Sequence, residues 1–565
     1  MGGPSVWGAA ARCLAGLASA LILVGTAAAA ANAEPVPQSR CGPGALPETG
    51  VQGQVPRADR DSGRSQRGYR CNLQLIGQYQ GDGATWVQPS YGHCSYLGTY
   101  APGPQMQKQP GVHVVDVTDE HHPTFSTALD STTMVNGTWE SLKVDPVHGY
   151  LAATGVPFSP GAGVLMFDIY DIKTDCAHPR LLNRLAGSLS TPAPVYGHEA
   201  LFSPDGTIYY ALTAGGGLSA IDVTNPAAPT VTGGNTGLTN HGASISPDGR
   251  TMYGVTSVPS GLQILDISDF QARKPVPQVR QISAITWTDG LLSQHTINFT
   301  SGGHPYVYVV DEAGGGGVRL VDVSDIRHPK IVRKYTLEVN EPANAKAVQN
   351  DTGGDGAFGY DAHYCTIDRL VDPTRLACGY FQSGVRLFDV RNPLRPVELA
   401  YYNPPAQVGR ELGTPKALVN SAHAWSVGSP DLLDPQMYGG STVVDSIHPS
   451  MTTDWCSSPP SFRPNNTLWV TCQDNGFQVL RYSPPPATSA SPRPVVSSDS
   501  DSDDSDSDSD SDDSDAPRHR RDDGLPRVIE GGASGKTSWL PVLIVGLGAV
   551  MCEVGAGLAA GRRES

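Results

Sequence analysis

Gly317-Val318-Arg319-Leu320-Val321-Asp322-Val323-Ser324-Asp325-Ile326-Arg327-His328-Pro329 is the stretch on which the fold turns. A glycine opens it, an apolar run follows, and an Asp/Ser/Pro turn closes it. That composition suits a buried strand bounded by turns. Related stretches begin at Gly111 (GVHVVDVTDEHHP), Gly163 (GVLMFDIYD), Gly217 (GLSAIDVTNPAAP), Gly261 (GLQILDISD), Gly384 (GVRLFDVRNPLRP) and Gly476 (GFQVLRYS). Neighbouring starts lie 44 to 92 residues apart. Recurrence on that scale with β-type content marks a propeller.

The rest of the unit repeats too. HEALFSPDGTIYYALT from His198 and HGASISPDGRTMYGVT from His241 each read as strand, Ser-Pro-Asp-Gly turn, strand. Proline presets φ and Asp-Gly supplies the turn geometry. The glycine-led strand comes next, then a Pro-containing turn and a fourth strand such as Pro329–Tyr335 or Pro396–Tyr402. Four antiparallel strands make a blade. Seven third strands therefore predict an all-β, seven-bladed β-propeller over residues 71–483. The last copy runs straight into Pro484-Pro485-Pro486 and lacks a fourth strand. Asn72–Tyr79 (NLQLIGQY) resembles the other fourth strands, so it is expected to complete the last blade and close the ring, leaving no open edge at the seam.

These repeats resemble the LVIVD-repeat family over roughly residues 70–483. The resemblance implies a β-propeller in a secreted or surface setting and no single activity, because propellers host many functions.

The flanks predict an address. Arg12, the apolar run Cys13 to Ala31 and the small-x-small site Ala31-Asn32-Ala33 read as a signal peptide over residues 1–33. Residues 34–70, with arginines at 57, 60, 64, 67 and 70 among Gly, Pro, Gln and Ser, read as a disordered mature N-terminus. Residues 484–537 read as a disordered stalk, first Pro/Ser-rich, then only Ser and Asp from Ser497 to Asp515. That run resembles the Ser-Asp stalks of Gram-positive surface adhesins. Its ten aspartates carry much of the net charge of −16, so the rest of the chain is closer to balance and no nucleic-acid partner is indicated. An apolar segment follows, giving an expected transmembrane helix at residues 538–561 and a cytoplasmic tail at 562–565 that contains Arg562-Arg563. The ring would face outward from the cell membrane. Glu553 interrupts the span near its cytoplasmic end.

Cys13 and Cys552 fall in the two apolar segments, and eight cysteines remain, an even number that fits disulfides outside the cell. Cys365 (HYCTID) and Cys378 (RLACGY) lie on the first two strands of the sixth blade and would face one another once that hairpin folds. Cys456 and Cys472 flank a Pro-rich loop and form the next expected pair. Cys41, Cys71, Cys94 and Cys176 have no assignable partners from spacing alone. No CxxC pair exists to suggest zinc.

One column carries candidate chemistry. The expected first strands are WESLKV from Trp139, HEALFS from His198, HGASIS from His241, HTINFT from His295, HYCTID from His363 and HAWSVG from His423. Five of the six begin with histidine. First strands are innermost in a propeller, so His198, His241, His295, His363 and His423 should meet at one mouth of the channel, with Glu140, Glu199 and Asp361 beside them. Imidazoles with carboxylates could hold a transition metal. The competing expectation is architectural: each imidazole hydrogen-bonds the neighbouring blade, as the Gly-His pair of WD-repeat propellers does. A second column, Asp116, Asp168, Asp222, Asp266, Asp322 and Asp389, is expected to cap turns. No HExxH, GxSxG or phosphate loop is present. The leading reading is a surface interaction module for an extracellular protein or glycan, with an extracytoplasmic metal-dependent enzyme of oxidoreductase type as the alternative. Long insertions at Val339–Tyr360 and Asn403–Asn420 are candidate partner loops.

Overall fold

The computed structural model describes residues 34–485, apart from 85, 100–108, 136, 156–165, 184–196, 213–216, 236, 239–240, 257–258, 349–350, 352–358 and 408–452. Its strands form seven sheets, the blades of a β-propeller, each with four antiparallel strands at its centre. Blades 1 to 7 are built on the third strands Val112–Asp116, Met166–Asp171, Leu218–Asp222, Gly261–Asp266, Gly317–Asp322, Gly384–Asp389 and Gly476–Tyr482. The expected ring closure is present. Leu73–Tyr79 pairs antiparallel with Gly476–Tyr482, with Leu73 opposite Tyr482 and Tyr79 opposite Phe477.

The near-continuous apolar character of these strands follows from burial on both faces. In blade 3, Tyr209 and Ala211 pack toward blade 2 with Phe167 and Ile169. The alternate residues Ile208, Tyr210 and Leu212 pack toward blade 4 with Met252 and Leu265. The same alternation is repeated round the ring. At the seam, Phe477 and Val479 of blade 7 meet Leu97 and Val115 of blade 1, and Ile76 and Tyr79 of the closing strand cover them.

The opening glycine has a steric cause. A Cβ at Gly317, where φ is +64°, would lie 2.1 Å from the carbonyl oxygen of Tyr335 on the fourth strand, and one at Gly384 would lie 2.4 Å from that of Tyr402. Fourth strands approach too closely for a side chain there. The aspartates that end these strands cap turns as expected. Asp116, Asp222, Asp266, Asp322 and Asp389 each accept the backbone N–H two residues on, at 2.8 to 3.0 Å. Blade 2 corrects the alignment by three residues. Its turn is capped by Asp171, which accepts from Lys173 N, whereas Asp168 is buried against Ser131 and Asn183.

The eight cysteines of the described residues form four disulfides. Cys365–Cys378 and Cys456–Cys472 form as expected, and the remaining pairs are Cys41–Cys71 and Cys94–Cys176. Cys365 and Cys378 are direct cross-strand partners, and Asp372 turns the hairpin between them with φ +48°.

Two expectations are corrected. Residues 34–70 are an ordered strap, not a disordered tail. Glu34–Pro35 adds a parallel fifth strand to blade 5, and Tyr69–Cys71 adds a fifth strand to blade 6. Between them, Val36 and Val55 join the apolar core of blades 5 and 6. The strap also supplies Glu48, buried against Arg386, which pairs with Glu398 from its other side. A composition rich in Pro, Gln and Arg hid these few anchors. The first strand of blade 7 is Ser461–Arg463, folded against Thr467–Cys472 about the turn at Asn465 and Asn466, rather than HAWSVG. His423, the signal peptide, residues 486–537 of the stalk, the 538–561 span and the tail lie outside the described residues. Among the described residues no helix is long and apolar enough to cross a membrane.

Candidate functional site at the channel mouth

The first strands bring four of the five histidines to one end of the channel, and the residue at their centre is Glu140. It precedes the first strand of blade 2 and is held there by backbone bonding to blade 3, its N–H donating to His198 O at 3.1 Å. Its Oε2 faces His198 Nε2 at 3.1 Å and His241 Nε2 at 3.4 Å. Its Oε1 faces His363 Nε2 at 3.0 Å and accepts from Gln294 Nε2 at 2.9 Å. Blades 2, 3, 4, 5 and 6 thus meet on one carboxylate, which is 3% exposed. Glu312, on the second strand of blade 5, contacts His363 Nε2 from a further side at 3.2 Å.

The other ring nitrogen does what the architectural expectation requires. His241 Nδ1 faces Gln294 O of blade 5 at 3.2 Å, and His363 Nδ1 faces Ser457 O of blade 7 at 2.9 Å. In His241 and His363 one ring nitrogen ties the next blade and the other points at Glu140. His295 departs from this pattern. A bulge between Ser293 and His295 leaves Gln294 outside the strand ladder. Gln294 takes the place at Glu140, while His295 turns to the backbone of Cys365 in blade 6 and lies 4.6 Å from the Tyr364 ring.

Glu199 and Asp361 do not join the cluster. Glu199 pairs with Lys143 Nζ at 2.5 Å, and Lys143 lies over the Tyr364 ring. Asp361 bonds the backbone of Gly315 and Gly316. Sequence reasoning missed Glu312, Gln294 and Lys143. None belongs to a repeating column, and only Gln294 carries a signal, since it directly precedes His295. Aromatic rings wall the cluster: Trp139 lies 4.9 Å from His198, and Trp86 and Phe381 lie 5.3 and 4.9 Å from His363. Trp139 and Phe381 both have positive φ, +45° and +27°, a costly conformation for bulky residues that the surrounding packing must enforce.

The electrostatics separate the histidines. Burial opposes charge on His363, but its bonds to Glu140 and Glu312 prevail and lift its pKa to about 10. His198 is raised in the same sense, with its bond to Glu140 outweighing burial. Burial dominates at His241 and His295, each pushed down to about 3. Burial works against the Glu140 anion too, but the three surrounding imidazoles hold it well below the usual carboxylate range. Burial raises Glu312 and lifts Glu199 to about 7.

Glu140, His198 and His241 offer one oxygen and two nitrogens that all lie within 4.8 Å of one another. His93, Cys94 and Cys176 form a second such group, but the Cys94–Cys176 bridge removes both thiolates.

No family model and no curated protein matches this chain. A solved structure, a "putative 6-phosphogluconolactonase" from Bacteroides uniformis, is similar at 14% identity and a TM-score of 0.43, over 68% of this chain and 91% of that one.

Proposed function

We propose that the chain is an outward-facing β-propeller of LVIVD-repeat type, tethered to the cell membrane by its C-terminal apolar segment, that works as a binding module through its channel mouth. One observation carries the choice of site. Glu199 Oε2, Gln294 Oε1, His295 Nδ1, Tyr364 Oη and Ser457 Oγ are among the buried side-chain atoms without a hydrogen-bond partner, and these five belong to residues in or beside the Glu140 cluster. Each such group costs about 1–3 kcal/mol, and polar groups of a ligand would satisfy them. The four disulfides and the signal-like N-terminus support an extracytoplasmic setting. The partner is an extracellular protein or a glycan.

Trp86 and Trp139 report on this site by fluorescence. Titrating the purified full chain with cell-wall glycan fragments and with extracellular proteins should give a saturable change that weakens in Lys143→Ala and Tyr364→Phe. A partner that binds equally to both variants would remove the channel mouth from the reading. Protease treatment of intact cells should release the ring, and protection of the ring would remove the outward orientation.

The convergence on Glu140 favours a second reading, an extracytoplasmic metal-dependent enzyme of oxidoreductase type. It requires turnover of a substrate at the histidine cluster.

A further inference from the structure

We propose that Glu140, His198 and His241 bind one divalent first-row transition-metal ion, with His363 and Glu312 completing its surroundings. This rests on the channel mouth being the binding site, and names its ligand.

Nitrogen and oxygen ligands sit about 2.0–2.2 Å from such an ion, which sets ligand-to-ligand edges of about 3.4 Å in a tetrahedral site. Glu140 Oε2 is already 3.1 Å from His198 Nε2 and 3.4 Å from His241 Nε2. The third edge, between the two imidazole nitrogens, is within 4.8 Å, so binding an ion asks the side chains to draw together without moving the strands that carry them. His363 Nε2 and Glu312 Oε2 stand on the far side of the same carboxylate, 3.2 Å apart.

His241 Nδ1 and His363 Nδ1 each face a backbone carbonyl that can only accept, so each carries the proton. In the neutral ring the lone pair then sits on Nε2, aimed at Glu140. A metal-binding imidazole has this arrangement: the distal nitrogen donates to the fold, which orients the ring and raises the basicity of the other.

Three imidazoles crowd one buried carboxylate, and Glu312 adds a second acid with little exposure. A divalent cation with neutral histidines balances Glu140 and Glu312 together and spares the cost of burying several imidazolium ions side by side. The donor set contains no thiolate or thioether, and nitrogen outnumbers oxygen. That selects zinc, iron, manganese, nickel or cupric copper over cuprous copper, and disfavours calcium, which prefers six to eight oxygens. His198 is the most exposed of the three ligands, its side chain 22% accessible, so an open coordination position would face the mouth on that side.

The test is metal analysis of the full chain purified in mild detergent and washed with excess calcium to clear the Ser-Asp stalk. The expected result is one first-row ion per chain. Cobalt(II) put in its place should show ligand-field absorption in the visible. Occupancy should fall at least tenfold in the double variant His198→Ala/His241→Ala. His241 also ties two blades, so Glu140→Gln, close in shape, serves as the second variant and should lose the ion with the thermal transition still cooperative. His328→Gln, at an exposed turn of blade 5, should retain it. A metal-free chain that takes up no cobalt overturns the proposal, as does an ion that survives both ligand variants. If the chain is metal-free and a partner still perturbs Trp86 and Trp139, the metal falls and the binding reading stands. If the ion is stoichiometric and no partner perturbs them, the metal stands and the partner reading falls.

Discussion

Glu140 of blade 2 and His363 of blade 6 are joined across the channel mouth at 3.0 Å, although three blades lie between them in one direction round the ring and two in the other. Adjacent blades are held by broad apolar faces. This contact instead links distant blades through the centre, so its loss should be felt by the ring as a whole.

Replacing Glu140 by Ala leaves His198, His241 and His363 facing one another with no anion between them. Breaking a buried pair in this way costs about 3–5 kcal/mol. The expected outcome is a lower urea midpoint for Glu140→Ala and a smaller loss for Glu140→Gln, which keeps the volume. Equal midpoints for wild type and Glu140→Ala would show that the carboxylate contributes nothing net.

His295 gives the ring an acid sensitivity. Its folded pKa is pushed down to about 3, mainly by burial and then by Lys143, from an ordinary 6.5. Between those values the unfolded chain takes up a proton that the folded chain refuses. The stability is therefore fully present above the ordinary value and declines as pH falls toward the depressed one. The slope is about 1.4 kcal/mol per pH unit for one proton. Denaturant midpoints at neutral pH and about two units lower should diverge less in His295→Gln than in wild type. Parallel behaviour of the two proteins would assign the acid sensitivity elsewhere.

Arg386 is buried between Glu48 of the strap and Glu398 of its own blade. Arg386→Met strands two buried carboxylates and should cost about 3–5 kcal/mol. Adding Glu48→Gln should recover part of that loss, because one stranded charge is gone. A double variant no more stable than Arg386→Met would break the link between strap and blade.

The Cys41–Cys71 bridge closes a separation of 30 residues around the strap. In Cys41→Ser/Cys71→Ser, the expected loss is about 3 kcal/mol. Trypsin should then cut at Arg57, Arg64 or Arg67 faster than in wild type, read by mass mapping. Unchanged cleavage would mean that the strap holds without its staple.

Much of the architecture was legible in the chain because it repeats. Seven glycine-led strands set the blade number, and the missing partner of the last one pointed to Leu73–Tyr79. Cys365 and Cys378 were readable because a short hairpin places them opposite one another. Blade 7 was misread at its first strand. HAWSVG matched the histidine column, whereas Ser461–Arg463 is marked only by the Pro464-Asn465-Asn466 turn after it. The strap was hidden because Val36, Glu48 and Val55 are single anchors without periodicity.

The sequence by itself determined a closed ring with histidines at one mouth, since period, turn chemistry and strand order are local properties that one chain displays. Only the tertiary structure decided what those histidines surround. Glu140 comes from the approach to the first strand of blade 2, and Gln294 and Glu312 from two strands of blade 5, and the three share no motif. They meet because ring closure brings strand ends far apart in sequence onto one axis, and charge and hydrogen bonding at that axis depend on distance in space alone. Even Gly317, which opens the defining stretch, owes its identity to the carbonyl of Tyr335, a contact that exists only once the blade has folded.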